Sequence, residues 1–316
     1  MAYVTLAIFL LFVGAAMVAA IVWAMAHRLL RPPRMSDAKA LAVLGRMSPD
    51  DLGLPFEPMN VTVRDAGGQP LRLAGWWMPA EAPSGRTVIL IHGYADAKVG
   101  AIAWAPVWRS LGWNCFAVDL RAHGESEGRY STGGFFERDD LSSVIDGLQA
   151  AKAQAAVEIA LFGVSLGAAV ACGVAAKRED LTAVVLDSPF DDFRHAVGEW
   201  AHRSSVPLPS LSKFVCRAAE RISGADFAAV RPVDLIPTIR VPLLVITGGA
   251  DTFLTPPQLE RIRTTLAARP ADRLTEHAVF PQAGHNLALA SDPAGYRKTL
   301  AAFLALCRTT QPAGAL

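Results

Sequence analysis

A chain of 316 residues can form one large α/β domain or two small ones. Its 30 basic and 29 acidic residues leave a formal net charge of +1, and no basic run carries interleaved aromatics, so nothing in it resembles a nucleic acid footprint. The four cysteines, Cys115, Cys172, Cys216 and Cys307, stand in apolar stretches without CxxC or metal-ligating spacing, which reads as buried thiols rather than a metal site.

Residues 2–26 contain no charged side chain and include Ile8, Phe9, Leu10, Leu11, Phe12, Ile21, Val22 and Trp23. About 20 apolar residues suffice to cross a bilayer as a helix, so residues 1–27 are expected to form a transmembrane anchor. A cleaved signal peptide would use Ala24-Met25-Ala26, but no Lys or Arg precedes the apolar core, and the core exceeds the usual signal length. Arg28, Arg31 and Arg34 follow the span. By the positive-inside rule the protein is expected to be single-pass, with its carboxyl-terminal domain on the cytoplasmic side. Residues 28–59, rich in Pro, Met and Arg, read as a connector with one short helix at 37–46. A chain beginning near Arg34 is accordingly expected to be soluble and to fold by itself.

Residues 61–63 and 71–77 alternate in period two around Asp65-Ala66-Gly67-Gly68, a hairpin signal that predicts two antiparallel strands at a sheet edge. Short apolar runs follow at 87–91, 114–118, 158–162, 181–186, 242–247 and 277–280, separated by helical stretches. Near-continuous hydrophobicity suits strands buried on both faces, and the alternation with helices predicts an α/β fold with a parallel, helix-covered sheet. Ligands of such sheets bind at the carboxyl ends of the strands.

The run at 159–162 ends in Gly163-Val164-Ser165-Leu166-Gly167, followed by small residues that open a helix. In a G-x-S-x-G turn of this kind the chain bends so sharply that small residues are needed two before and two after the serine, whose hydroxyl is pushed clear of the sheet. The helix beginning just after Ser165 brings unpaired N–H groups and the positive end of its dipole to the place where an oxyanion would form. The other strand ends carry His92-Gly93-Tyr94, the segment 119–126, Asp187-Ser188-Pro189, Gly248-Gly249-Ala250-Asp251 and Gly284-His285-Asn286. A serine hydroxyl needs a neutral imidazole to take its proton, and that imidazole needs a carboxylate to fix its tautomer. Ser165, Asp251 and His285 supply these three groups, in that chain order. Asp187 also ends a strand and is a rival for the acid. Asp119, Arg121 and His123 read as an ion-paired structural turn, and His277 as a packed strand residue.

From about Val61 to Cys307 the chain resembles the α/β-hydrolase superfamily, in particular its membrane-anchored or soluble esterase, lipase and serine-aminopeptidase-like members. HGY at 92–94, DLRAHGESEG at 119–128, GVSLG at 163–167, GGAD at 248–251 and AGH at 283–285 carry the likeness. The resemblance implies a mostly parallel sheet with helices on both faces. It also implies an oxyanion hole made by the backbone N–H groups of Tyr94 and Leu166, although the chain has a single Gly93 where some esterases have HGGG. The hydrolase domain is then expected at 60–310 with a tail at 311–316. An insertion at about 191–235 stands where the superfamily places a lid, and Trp200, Leu208, Leu211, Phe214 and Val215 could cover an acyl site there or simply pack on the sheet.

The function expected is a serine hydrolase of ester or thioester acyl bonds, working through an acyl-enzyme on a small-molecule or lipid substrate, with no cofactor implied. A serine peptidase of aminopeptidase type and a non-catalytic, membrane-attached binding member of the fold are the alternatives. A dehalogenase-like enzyme would need a carboxylate where Ser165 stands.

Overall fold

The computed structural model describes residues 1–65, 67–203 and 211–310. Helix α1 (Ala2–Leu30) precedes α2 (Asp37–Leu44), whose first turn is capped by Ser36 accepting from Lys39 N–H at 3.3 Å. The hairpin β1 (Glu57–Arg64) and β2 (Pro70–Met78) follows, then β3 (Arg86–Ile91), α3 (Lys98–Ala101), α4 (Ala105–Ser110), β4 (Asn114–Val118), α5 (Glu137–Ala151), β5 (Glu158–Val164), α6 (Leu166–Ala175) and β6 (Ala183–Asp187). The insertion contributes α7 (Phe193–Arg203), α8 (Ser212–Ser223) and α9 (Pro232–Leu235), after which come β7 (Leu243–Gly248), α10 (Pro256–Ala267), β8 (Thr275–Phe280), α11 (Ala288–Ser291) and α12 (Pro293–Thr310).

The eight strands form one sheet in the order β1-β2-β4-β3-β5-β6-β7-β8. The β1–β2 and β2–β4 pairs are antiparallel, and every later pair is parallel, as the change from alternating to continuous apolar runs predicts. Strand β3 illustrates why both faces are buried. Ile89 and Ile91 join the core beneath α5 and α6 with Phe116, Leu161 and Val184, while Val88 and Leu90 join the opposite core with Phe162, Trp108, Tyr296 and Phe303. All four cysteine side chains are buried.

Among the described residues, α1 is the one helix long and apolar enough to cross a membrane. It runs three residues past the expected end of the anchor, and there it is part of the domain: Leu29 and Leu30 of the extension, with Ala26 just before it, are buried in the core. The segment after it is tied down as well, since the Arg34 guanidinium donates to the carbonyls of His123, Gly124 and Ser126 at 3.2, 2.7 and 2.6 Å. The expected helix at 37–46 is seen as α2. The expected helices of the insertion are α7 and α8, while the turn at 206–209 lies outside the described residues.

Candidate active site

The parallel register brings the strand ends together. Ile91 of β3 lies opposite Gly163 of β5, Val164 lies opposite Asp187 of β6, and Gly248 of β7 lies opposite Phe280 of β8. Loops leaving these ends therefore meet along one edge of the sheet. Between β5 and α6 Ser165 has φ 51° and ψ −108°, a left-handed conformation that a residue with a β-carbon adopts only when its surroundings enforce it. Here they do. A β-carbon on Gly163 would lie 2.2 Å from the Gly167 carbonyl oxygen, and one on Gly167 would lie 2.2 Å from that of Ile91. Both positions demand glycine because backbones touch, which is what permits the sharp turn.

Ser165 Oγ is 3.0 Å from His285 Nε2, and His285 Nδ1 is 2.7 Å from Asp251 Oδ2. The other carboxylate oxygen, Asp251 Oδ1, accepts from the backbone N–H groups of Phe253 and Leu254 at 2.7 and 3.1 Å. Burial pushes the Asp251 carboxyl up, but the hydrogen bond and charge of His285 together with those two N–H groups outweigh it and hold the acid below its ordinary value. Asp251 therefore stays ionised, and its charge fixes a proton on His285 Nδ1, leaving Nε2 free to accept. The Phe253 ring lies 4.7 Å from the imidazole and covers one side of it.

Asp187, the rival acid, does not reach the imidazole. Its oxygens accept from Ser188 Oγ at 3.0 Å and from the Tyr296 hydroxyl at 2.9 Å, and burial pushes its carboxyl up to about 6. Ser188 Oγ in turn accepts from the N–H of Asn286 at 3.1 Å, so this buried group anchors the loop that carries His285. Ser188 stands in the sequence as a polar residue at a strand end with no role of its own. A strand-end Asp-Ser pair was the available signal for Ser188, whereas nothing local marks Tyr296.

Leu166 N–H is the first of α6 and has no intrahelical acceptor, and Tyr94 N–H meets no acceptor among the described residues. The loop bearing Tyr94 is fixed by His92, whose Nε2 accepts from Leu120 N–H at 3.0 Å while Nδ1 faces the Gly93 carbonyl at 2.7 Å. Burial lowers the pKa of His92 and of its neighbour His123, keeping both rings neutral and structural. The turn at 119–123 is ion-paired, though not within itself: Asp119 pairs with Lys98 Nζ at 2.7 Å, and Arg121 grips Asp140 at 2.5 and 2.6 Å. His277 bonds Thr247 across β7 and β8 at 2.9 Å.

Above Ser165 lies a cavity of about 1060 Å³, walled mainly by apolar side chains: Phe190 from the loop after β6, Phe193, Val197 and Trp200 from the insertion, Leu289, and Leu29 from the last turn of α1. Helix α7 thus faces the site. Of the other insertion residues expected to cover it, Val215 is buried in the core, Phe214 is exposed, and Leu208 lies outside the described residues.

The serine aminopeptidase family S33 matches residues 82–224. The Mycobacterium tuberculosis protein Rv2307c is 31% identical over 217 residues, covering 68% of this chain and 69% of that protein. The Saccharomyces cerevisiae membrane protein YNL320W is 24% identical over 260 residues, covering 81% of this chain and 82% of the yeast protein. Among solved structures, the Pyrococcus furiosus esterase Pf2001 superposes with a TM-score of 0.69 at 25% identity, over 88% of this chain and 98% of the esterase.

Proposed function

The chain belongs to the α/β-hydrolase superfamily, and from that premise we propose that it is a membrane-anchored serine hydrolase that cleaves ester or thioester bonds of acyl substrates. The observation that carries this reading is the hydrogen-bonded series Ser165–His285–Asp251 at the floor of a largely apolar cavity. His285 Nε2 takes the proton from Ser165 Oγ as the oxygen attacks the substrate carbonyl, and the tetrahedral oxyanion accepts from the N–H groups of Tyr94 and Leu166. Collapse of that intermediate breaks the bond to the leaving alcohol or thiol, which receives the proton from His285. Water then attacks the acyl-Ser165 ester with His285 again as base, releasing the carboxylic acid and regenerating the serine. Asp251 holds the imidazole in the required tautomer throughout. Helix α1 seats the domain at a bilayer, and the three arginines after the span favour the cytoplasmic face.

The S33 match and Asp96 on the cavity wall favour one competing reading, a peptidase whose carboxylate holds a substrate ammonium. Burial pushes the Asp96 carboxyl up to about 6, against the opposing effects of the Ala97 N–H and of Arg46 nearby. The apolar character of the remaining wall supports the acyl substrate instead. The test is fluorophosphonate labelling of the full-length protein, followed by kcat/KM on p-nitrophenyl esters of rising chain length and on aminoacyl p-nitroanilides. Hydrolysis confined to the anilides would replace the esterase reading with the peptidase one.

A further inference from the structure

The last turn of α1 does more than connect. Residues 2–22 of this helix are uncharged and mostly exposed. At 1.5 Å per residue they span roughly 31 Å, the thickness of a bilayer's hydrocarbon layer. Trp23, exposed and 4.1 Å from the His27 ring, stands at the end of that length, where indole rings settle at the membrane surface. Arg28 follows, its guanidinium exposed and without a hydrogen-bond or ion-pair partner among the described residues, and Arg31 lies over Tyr130 at 5.4 Å. These groups fix the depth of the protein: Arg28 and Leu29 come roughly 8–9 Å beyond Trp23, at the lipid headgroups.

At that same depth α1 becomes part of the site. Leu29 lines the cavity that reaches Ser165. The Tyr94 hydroxyl donates to the Leu29 carbonyl at 2.9 Å, and Ser131 N–H donates to that of Leu30 at 2.8 Å. Helix α8 packs along α1, so the insertion that supplies Phe193, Val197 and Trp200 is braced by the anchor itself. Apolar side chains are also exposed beside the cavity wall, Leu41 and Val43 on α2 near Leu44, and Leu287, which lines the cavity at 53% exposure. Exposed apolar side chains beside a cavity that Leu29 also lines would present hydrocarbon to hydrocarbon rather than to water where they meet a bilayer.

We propose that the last turn of α1 is one wall of the acyl site, and that the acyl chain seated there belongs to a substrate resident in the bilayer that holds the anchor. The chain lies in the cavity against Leu29, Phe193 and Trp200, with its carbonyl directed to Ser165. This deepens the serine hydrolase reading and rests on it for the cleavage step, but the seat of the chain is testable without turnover.

The full-length Ser165→Ala protein is placed in nanodiscs containing a palmitoylglycerol with a chain-terminal diazirine, irradiated, and its crosslinks mapped by mass spectrometry. Crosslinks on Leu29 and on α7 are expected. Crosslinks confined to residues 2–22, or absent, would overturn the proposal. In the active protein, Leu29→Trp narrows the wall and is expected to lower the ratio of kcat/KM for bilayer-borne palmitoylglycerol to that for p-nitrophenyl butyrate at least tenfold. A ratio within twofold of the parent's would also overturn it. Failure of fluorophosphonate to label Ser165 in the parent would instead sink the hydrolase reading, with the crosslink map still deciding where the chain sits.

Discussion

Two adjacent strands, β6 and β7, each deliver an aspartate to the same edge of the sheet, and the two carboxylates are held in opposite ways. Asp251 accepts from an imidazole and two backbone N–H groups and is held below its ordinary pKa. Asp187 accepts from two neutral hydroxyls, which compensate a buried charge less well, and is pushed up to about 6. Position at a strand end thus gives a carboxylate access to the site, while its hydrogen-bond donors decide whether it remains charged. An ionised Asp251 suits an orienting acid. Asp187 is suited to hold a loop.

The largest effect sets the floor for testing that contrast. Ser165→Ala removes the nucleophile from a turn that accepts a small side chain, and kcat for ester hydrolysis is expected to fall by about 10⁶ with the melting temperature nearly unchanged. Turnover within tenfold of the parent would place the chemistry elsewhere. Asp251→Asn comes next. It removes the charge that fixes the His285 tautomer, so kcat is expected to fall by about 10⁴, while Asp187→Asn stays within about tenfold of the parent. Reversal of those two magnitudes, with both variants folded by circular dichroism, would move the acid to β6.

Much of this was legible in the chain because it is encoded locally. The apolar runs that became β3 to β8, the glycines flanking Ser165 and the polar groups at the strand ends are each read within a few residues, and their common edge follows from a parallel sheet. What was not legible depends on partners distant in sequence. Tyr296 stands 109 residues after Asp187, and Lys98 21 residues before Asp119, and neither position carries a local mark of its partner. The end of the anchor was hidden for another reason. Leu29 and Leu30 are apolar whether they face lipid or protein, so hydropathy placed a boundary near residue 27, whereas packing runs the helix on into the core. Removing residues 1–33 would strip Leu29 and Leu30 from that core and the acceptor from the Tyr94 hydroxyl, so the expectation of a self-sufficient domain from Arg34 onward does not follow from this packing.

The smallest effect examines the Asp187 side of the comparison through stability rather than rate. Its carboxyl lies at about 6 in the folded protein and would return to the ordinary aspartate value of about 3.9 on unfolding. Between those values the folded state holds the proton more tightly, so the contribution of this group to stability declines as pH rises from about 4 to 6 and remains unfavourable above that range. Two units correspond to about 3 kcal/mol, an order of magnitude that applies without discount for solvent because Asp187 is fully buried. The neutral Asn of Asp187→Asn can still accept from Tyr296 and donate to Ser188, whose hydroxyl can turn. Relative to the parent, the variant is therefore expected to gain melting temperature progressively from pH 4 to pH 6.5 and to keep that gain at pH 8. His285, Asp251 and Tyr296, the titratable groups nearest to it, are present in both proteins, so the difference between the two melting curves isolates Asp187. Curves that run parallel across this range would mean that the carboxyl of Asp187 is no harder to ionise than one in water, and the contrast between β6 and β7 would lose its electrostatic basis.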